Sequence, residues 1–147
     1  MTHTREPNCP GCLTKLQGVD PHLANWFWGT VKKKYPSAHV CWGVRDQIDQ
    51  DADFVAGRSM LKWPNSKHNF EIDGKKNSLA IDLFLIDENG MALFPLAFYQ
   101  GVAQEMTSLM TWGGSFPHLK DLDHFQIDHP SGEELNPYPW AKTAIET

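Results

Sequence analysis

Asn65 to Phe84 reads NSKHNFEIDGKKNSLAIDLF, and a second stretch, DLDHFQI from Asp121 to Ile127, completes it. LAIDLFLI, Leu79 to Ile86, is apolar at every position except Asp82, the composition of a strand buried on both faces. Period-two alternation puts Asp82 on one face with Ala80 and Phe84, and sends Leu79, Ile81, Leu83 and Leu85 to the other. A carboxylate on such a strand needs a strong partner, because an isolated buried charge is costly or neutralises itself. In HFQI the same alternation sets His124 and Gln126 against Phe125 and Ile127, so His124 points out of a strand whose other face packs. His68 supplies a second imidazole. Two histidines and a carboxylate are the ligand set of a catalytic zinc, which keeps a fourth position open. Between His68 and Asp82, the run Gly74, Lys75, Lys76, Asn77 and Ser78 reads as a loop.

Asp121 lies three residues before His124. Zinc makes water a usable nucleophile near neutral pH, and a neighbouring carboxyl group can take the proton and pass it to a leaving amine. Asp123 competes for that role. In an unbroken strand both aspartates would face away from His124, so either one reaches the metal only if the chain turns just before His124.

Taken together, Ser66-Lys67-His68, Ala80-Ile81-Asp82 and Asp121-Leu122-Asp123-His124-Phe125 resemble the motifs of the VanY-like zinc D,D-carboxypeptidase and L-alanyl-D-glutamate endopeptidase family, and most its small phage endolysins. The Arg45 region (GVRDQIDQ), the Gly57-Arg58-Ser59 turn and Trp112-Gly113-Gly114 fall in the family's order, so the resemblance spans residues 16–127. Two features depart from it: the interval from His68 to Asp82 is longer than usual, and the acid at position 121 is aspartate where many members carry glutamate. The resemblance implies zinc held by His68, Asp82 and His124, with Asp121 as general base. It implies that Arg45 polarises the scissile carbonyl or holds a substrate carboxylate, work that suits a planar fixed donor. Ser66, Ser59 and Trp112 become substrate-binding residues by the same likeness. The implied substrate is the peptidoglycan stem peptide, cut at the L-alanyl-D-glutamate bond in host cell lysis. The alternatives are D-alanyl-D-alanine carboxypeptidase or dipeptidase action, or a non-catalytic, metal-stabilised binding domain.

The fold expected is α+β, a small antiparallel sheet carrying the metal site with helices on its other side, as in the hedgehog and DD-peptidase group. With 147 residues and 41% hydrophobic content, one domain over 1–147 is expected, its core at 16–127, preceded by a CxxC segment (1–15) and followed by a tail (128–147). A monomer is expected. The net charge of -5 argues against nucleic acid as the main partner, since phosphate binding wants a basic face. No run approaches the roughly 18 apolar residues of a membrane span, and MTHTREPNCPG lacks the apolar centre of a signal peptide. Synthesis in a host cytoplasm is therefore expected, with access to the wall after release through a membrane-permeabilising partner.

Elsewhere the signals are local. Cys9 and Cys12 form a CPGC knuckle with Cys41 apart, and read as reduced thiols in a capping turn; a structural zinc would need a further ligand such as His3 or His22. Asp20 caps a helix with Pro21 first and Leu23, Trp26, Phe27 and Val31 on one stripe, and Lys32, Lys33 and Lys34 form its solvated end before Pro36. AHVCWGV alternates as a strand with Val40, Trp42 and Val44 on one face. Asp46 to Ala56 reads as a helix with Ile48, Ala52 and Val55 inward and Gly57 as its cap. Asp87-Glu88-Asn89-Gly90 is a hairpin signal returning Met91 to Phe94 antiparallel. Pro95 opens a helix to about Met110, with Leu96, Tyr99, Ala103, Met106 and Met110 in the core. The glycines after Trp112 permit positive φ or a close approach. His118 is a rival ligand in a loop.

Overall fold

In the computed structural model, residues 10–44, 51–52, 55–57, 67–68, 70–72, 75–117 and 119–129 are described. The helical elements of the first part are α1 (Pro10–Lys15), α2 (Pro21–Trp26), a π-helical turn (Phe27–Val31) and α3 (Lys32–Lys34). Then follow β1 (Ala38–Trp42), β2 (Phe70–Ile72), β3 (Lys75–Asn77), β4 (Ala80–Ile86), β5 (Ala92–Leu93), α4 (Leu96–Ala103), β6 (Met110–Trp112), a 3-10 turn (Gly113–Ser115) and β7 (His124–Ile127). The main sheet is antiparallel, in the order β1-β4-β7-β6, with β5 pairing the far end of β4. The fold is α+β, as the periodicities predict.

The apolar face of β4 makes the core. Leu79, Ile81 and Leu83 are fully buried with Phe125 and Ile127 of β7, against Leu23, Phe27 and Val31 of the first helical stretch and Tyr99 and Val102 of α4. Trp26 meets Phe125 at 5.7 Å between ring centroids. The Tyr99 hydroxyl donates to the Leu83 carbonyl at 2.7 Å, so this core phenol is satisfied. The opposite face of β4 and β7 carries Asp82 and His124.

Local signals hold where they are strongest. Asp20 caps α2, its carboxylate accepting from the His22 amide at 2.9 Å. Asp87 accepts from the Asn89 and Met91 amides at 2.8 and 2.9 Å, and Gly90 adopts φ +80 to close the turn into β5. Gly57 takes φ +78, the left-handed conformation of a helix-terminating glycine.

Several elements differ from expectation. The CPGC segment is helical from Pro10, and the Cys12 thiol is buried 3.4 Å from His39 Nδ1 on β1; Cys9 lies outside the described residues. Lys32 is buried rather than solvated, because its Nζ donates to the Ala38 carbonyl at 2.8 Å where the chain doubles back into β1. The register slips between Val40 and Trp42: Val40 pairs with Leu83 but Trp42 with Asp82. A bulge thus turns Trp42 to the face of Asp82, away from Val40. Val55 and Ala52, both expected inward, are exposed, Val55 by 84%; Ile48, the third residue of that stripe, lies outside the described residues. The helix after Pro95 ends at Ala103, and Met110 joins the core from β6 instead. Leu96 is exposed, and Phe98, Tyr99 and Val102 form the buried stripe.

The run read as a loop before Asp82 is half of a hairpin. Phe70 pairs with Asn77, Glu71 with Lys76 and Ile72 with Lys75. Its base is closed by the Leu79 amide donating to the Lys67 carbonyl at 2.8 Å.

Candidate metal centre

Three segments deliver the three candidate ligands. His68 follows Lys67 at the hairpin base, and its Nδ1 donates to the Gly43 carbonyl at 2.7 Å. That bond leaves Nε2 as the lone-pair nitrogen and aims it inward. Asp82 on β4 and His124 on β7 are direct cross-strand partners, so their side chains leave the same face of the sheet side by side. Among the described residues, His68, Asp82 and His124 form one buried group able to hold a metal ion.

Their donor atoms form a nearly equilateral triangle. His68 Nε2 lies 3.2 Å from Asp82 Oδ1 and 3.2 Å from His124 Nδ1, and His124 Nδ1 lies 3.3 Å from Asp82 Oδ1. Ligands at about 2.0–2.1 Å from a tetrahedral zinc stand roughly 3.3 Å apart, so the triangle fits one face of such a polyhedron. Two imidazole nitrogens in direct contact repel unless a proton or a cation stands between them. A divalent ion suits this His2Asp set, in which the carboxylate supplies the charge.

The electrostatics agree. Burial opposes ionisation of Asp82, but the His68 and His124 imidazoles outweigh it and hold the carboxyl well below the usual carboxylate range. Burial likewise disfavours the His124 cation, yet its bond to Asp82 and the negative charges of Asp82 and Asp121 push its pKa up. A buried carboxylate that draws a proton onto the imidazole beside it is a cation-seeking site.

Beside the triangle the chain makes the turn that the acid requires. The His124 amide donates to the Asp121 carbonyl at 3.2 Å, so the Leu122-Asp123 turn folds Asp121 back and brings its Oδ2 to 3.8 Å from His124 Nδ1. Asp121 remains 36% exposed at its side chain while the three ligands are buried. Gly113 makes room for this turn: a Cβ there would collide with the Asp121 carbonyl and with His124 Cβ. Its own carbonyl accepts the Asp121 amide at 3.0 Å. Asp123 is drawn in as well. Burial, the hydrogen bond with Asp121 and the nearby charge of Asp82 push its carboxyl up to about 9.

Of the residues singled out in the sequence, His68, Asp82, His124 and Asp121 are brought together. Trp112 is not. It pairs with Phe125 on the packed face, stacks on that ring at 6.3 Å, and donates its indole N–H to the Leu122 carbonyl at 2.6 Å. It clamps the turn that carries Asp121. Arg45, Ser59, Ser66 and His118 lie outside the described residues. The sequence reading missed the Gly43 carbonyl, which no side-chain pattern reveals. It also missed Phe116, whose ring stands 5.5 Å from that of His124.

No protein-family model and no curated protein matches the chain. Among solved structures, the crystal structure of the Serratia marcescens L-Ala D-Glu endopeptidase ChiX is similar at 22% identity and a TM-score of 0.62. The match covers 80% of this chain and 86% of that one. The likeness is therefore one of fold, and this chain shares its α+β architecture with that endopeptidase.

Proposed function

We propose that the chain is a zinc-dependent peptidoglycan hydrolase that cuts the stem peptide at the L-alanyl-D-glutamate bond, acting on the wall after release from a host cytoplasm as phage endolysins do. The observation that carries the reading is the buried His68, Asp82 and His124 triangle with the more exposed Asp121 beside it. The fold it shares with an L-Ala D-Glu endopeptidase supports it. His68 Nε2, Asp82 Oδ1 and His124 Nδ1 would hold the ion. When bound, a divalent cation supplies Lewis acidity and lowers the pKa of water.

The chain's own groups do the rest. Asp121 reaches the site from a turn held by Gly113 and Trp112, accepts the proton of the attacking water and returns it to the leaving amine. Asp123 is hydrogen-bonded to Asp121, and burial first, then that bond, push its carboxyl up to about 9, so at neutral pH it keeps its proton and would orient the base rather than replace it. Phe116, whose ring lies against that of His124, would pack on the substrate. Arg45, Ser59 and Ser66 would contact the substrate, with Arg45 at the developing oxyanion or a stem-peptide carboxylate. Trp112 would act through the Asp121 turn.

The test is mass spectrometry of defined muropeptides after incubation with zinc-loaded protein, chelated protein and Asp121→Ala. Chelator-sensitive release of the stem from L-alanine is expected. Asp121→Ala should keep its metal and lose activity by about a hundredfold or more. Loss of only the terminal D-residue would move the activity to carboxypeptidase, and a zinc-bound protein that cuts neither bond would sink the hydrolase reading.

A further inference from the structure

His124 faces the triangle through Nδ1, so the ring must carry its proton on Nε2 whenever Nδ1 offers a lone pair. That Nε2 lies 2.8 Å from Gln126 Oε1. The partner follows from strand geometry, since residues two apart on β7 leave the same face. Gln126 is itself held: its Nε2 donates to Asp128 Oδ1 at 3.2 Å, which turns the amide oxygen toward His124. Asp128 is anchored in turn. Thr111 on β6 donates to its carboxylate at 3.4 Å, and Lys67, next to His68, donates to its backbone carbonyl at 3.1 Å.

From this chain of contacts we infer that Gln126, oriented by Asp128, is the positioning residue that sets the tautomer and ring angle of His124 for metal binding. The inference rests on the metal-site reading above. It parallels His68, whose other ring nitrogen is tied to the Gly43 carbonyl, but here the tie is a side chain and can be changed. An acceptor on the far nitrogen of a ligand histidine fixes its orientation and raises its basicity, and losing one costs metal affinity about 10- to 100-fold. A neutral amide gives the orientation without adding a charge to a site that already holds Asp82 and Asp121. A carboxylate at the same place would keep the orientation only beside a donor, because it cannot donate to Asp128 as the Gln126 amide does.

The experiment compares the full chain with Gln126→Leu, the double variant Gln126→Glu with Asp128→Asn, whose new amide donates to the new carboxylate, and Asp128→Ala. Zinc affinity is read by competition with a chromogenic chelator, and the His124 ring by long-range nitrogen–proton NMR with and without zinc. The parent should carry a hydrogen-bonded proton on His124 Nε2 in both states, and with zinc bound none on Nδ1. Gln126→Leu should lose that hydrogen-bonded signal and bind zinc about 10- to 100-fold more weakly, while Gln126→Glu with Asp128→Asn restores both. Asp128→Ala, at an exposed position, should weaken binding in the same direction by less. Unchanged affinity and ring signals in Gln126→Leu would overturn the inference, and so would a Gln126→Glu, Asp128→Asn protein as weak as Gln126→Leu, which marks the position as mere packing. A parent that binds zinc but cuts no stem peptide overturns the proposed activity and leaves this inference standing, whereas a parent that binds no zinc overturns it.

Discussion

Asp121 and Asp123 are two residues apart and chemically alike, yet their surroundings separate them. Asp123 is pushed up to about 9 by burial, by its hydrogen bond with Asp121 and by the charge of Asp82. Its unfolded value is about 3.9, so the folded chain holds this proton more tightly than the unfolded one does. The contribution to stability is then fully present below about pH 4 and is lost as pH rises towards 9. Asp123→Asn keeps a hydrogen-bond donor with no proton to lose. It should stabilise the metal-free chain at neutral pH, by an amount on the order of 1 kcal/mol, and flatten the decline between those limits; thermal melts across that pH range would read it. A variant that melts below the parent at pH 7 would sink this account. At this scale the sequence was informative about identity and silent about environment. Two aspartates before a histidine were visible, but their inequality comes from the turn and the burial.

Single elements act here mainly by registering one ligand against another. The pairing of Asp82 with His124 across β4 and β7 places two ligands at once. The third depends on the hairpin base. There Leu79 donates to Lys67, the Ser78 amide donates to the Gly18 carbonyl at 2.8 Å, and the Ser78 carbonyl accepts the Asp20 amide at 2.9 Å. These bonds lie below β2 and β3 and do not need them. Replacing residues 70–77 with a short glycine-serine link should therefore leave zinc affinity within about threefold of the parent, since loop closure depends only weakly on length. A chelator titration would check it, and a loss of tenfold or more would show that the hairpin itself holds His68. The long interval between His68 and Asp82 was plain in the sequence, whereas its hairpin form was not, because pairing between two three-residue strands carries little periodicity. The bulge in β1 was equally hidden: nothing in AHVCWGV marks where the register against β4 slips.

Across the molecule, the candidate metal group joins segments far apart in the chain. His68, Asp82 and His124 come from the hairpin base, the central strand and the last strand of the sheet. An ion that binds all three stabilises only the folded state, by about 4 kcal/mol at a thousandfold excess over its dissociation constant. For a chain of this size that corresponds to a rise in Tm on the order of 10 °C. Chelation should lower Tm by this amount, and His68→Ala, already lacking a ligand, should respond far less to the same treatment in differential scanning calorimetry. Equal responses from parent and variant would place the bound metal elsewhere.

The sequence by itself determined the α+β class, the buried strand with its lone carboxylate, the helix capped by Asp20, the turn closed by Gly90 and the His68, Asp82 and His124 trio. Each rests on a local signal: an alternation, a cap, a turn residue or a ligand type. Tertiary structure alone decided that Trp42 faces Asp82, that Lys32 is buried on the Ala38 carbonyl, that α4 stops at Ala103, and that Trp112 clamps a turn on the packed face. Those outcomes depend on which strand lies alongside and which carbonyl comes within reach, partners supplied by residues distant in the chain. Convergence of the metal ligands belongs to both. Their chemistry is written locally, and the separation of 3.2 to 3.3 Å between their donor atoms exists only because β4 and β7 pair in one register and the Gly43 carbonyl turns His68 inward.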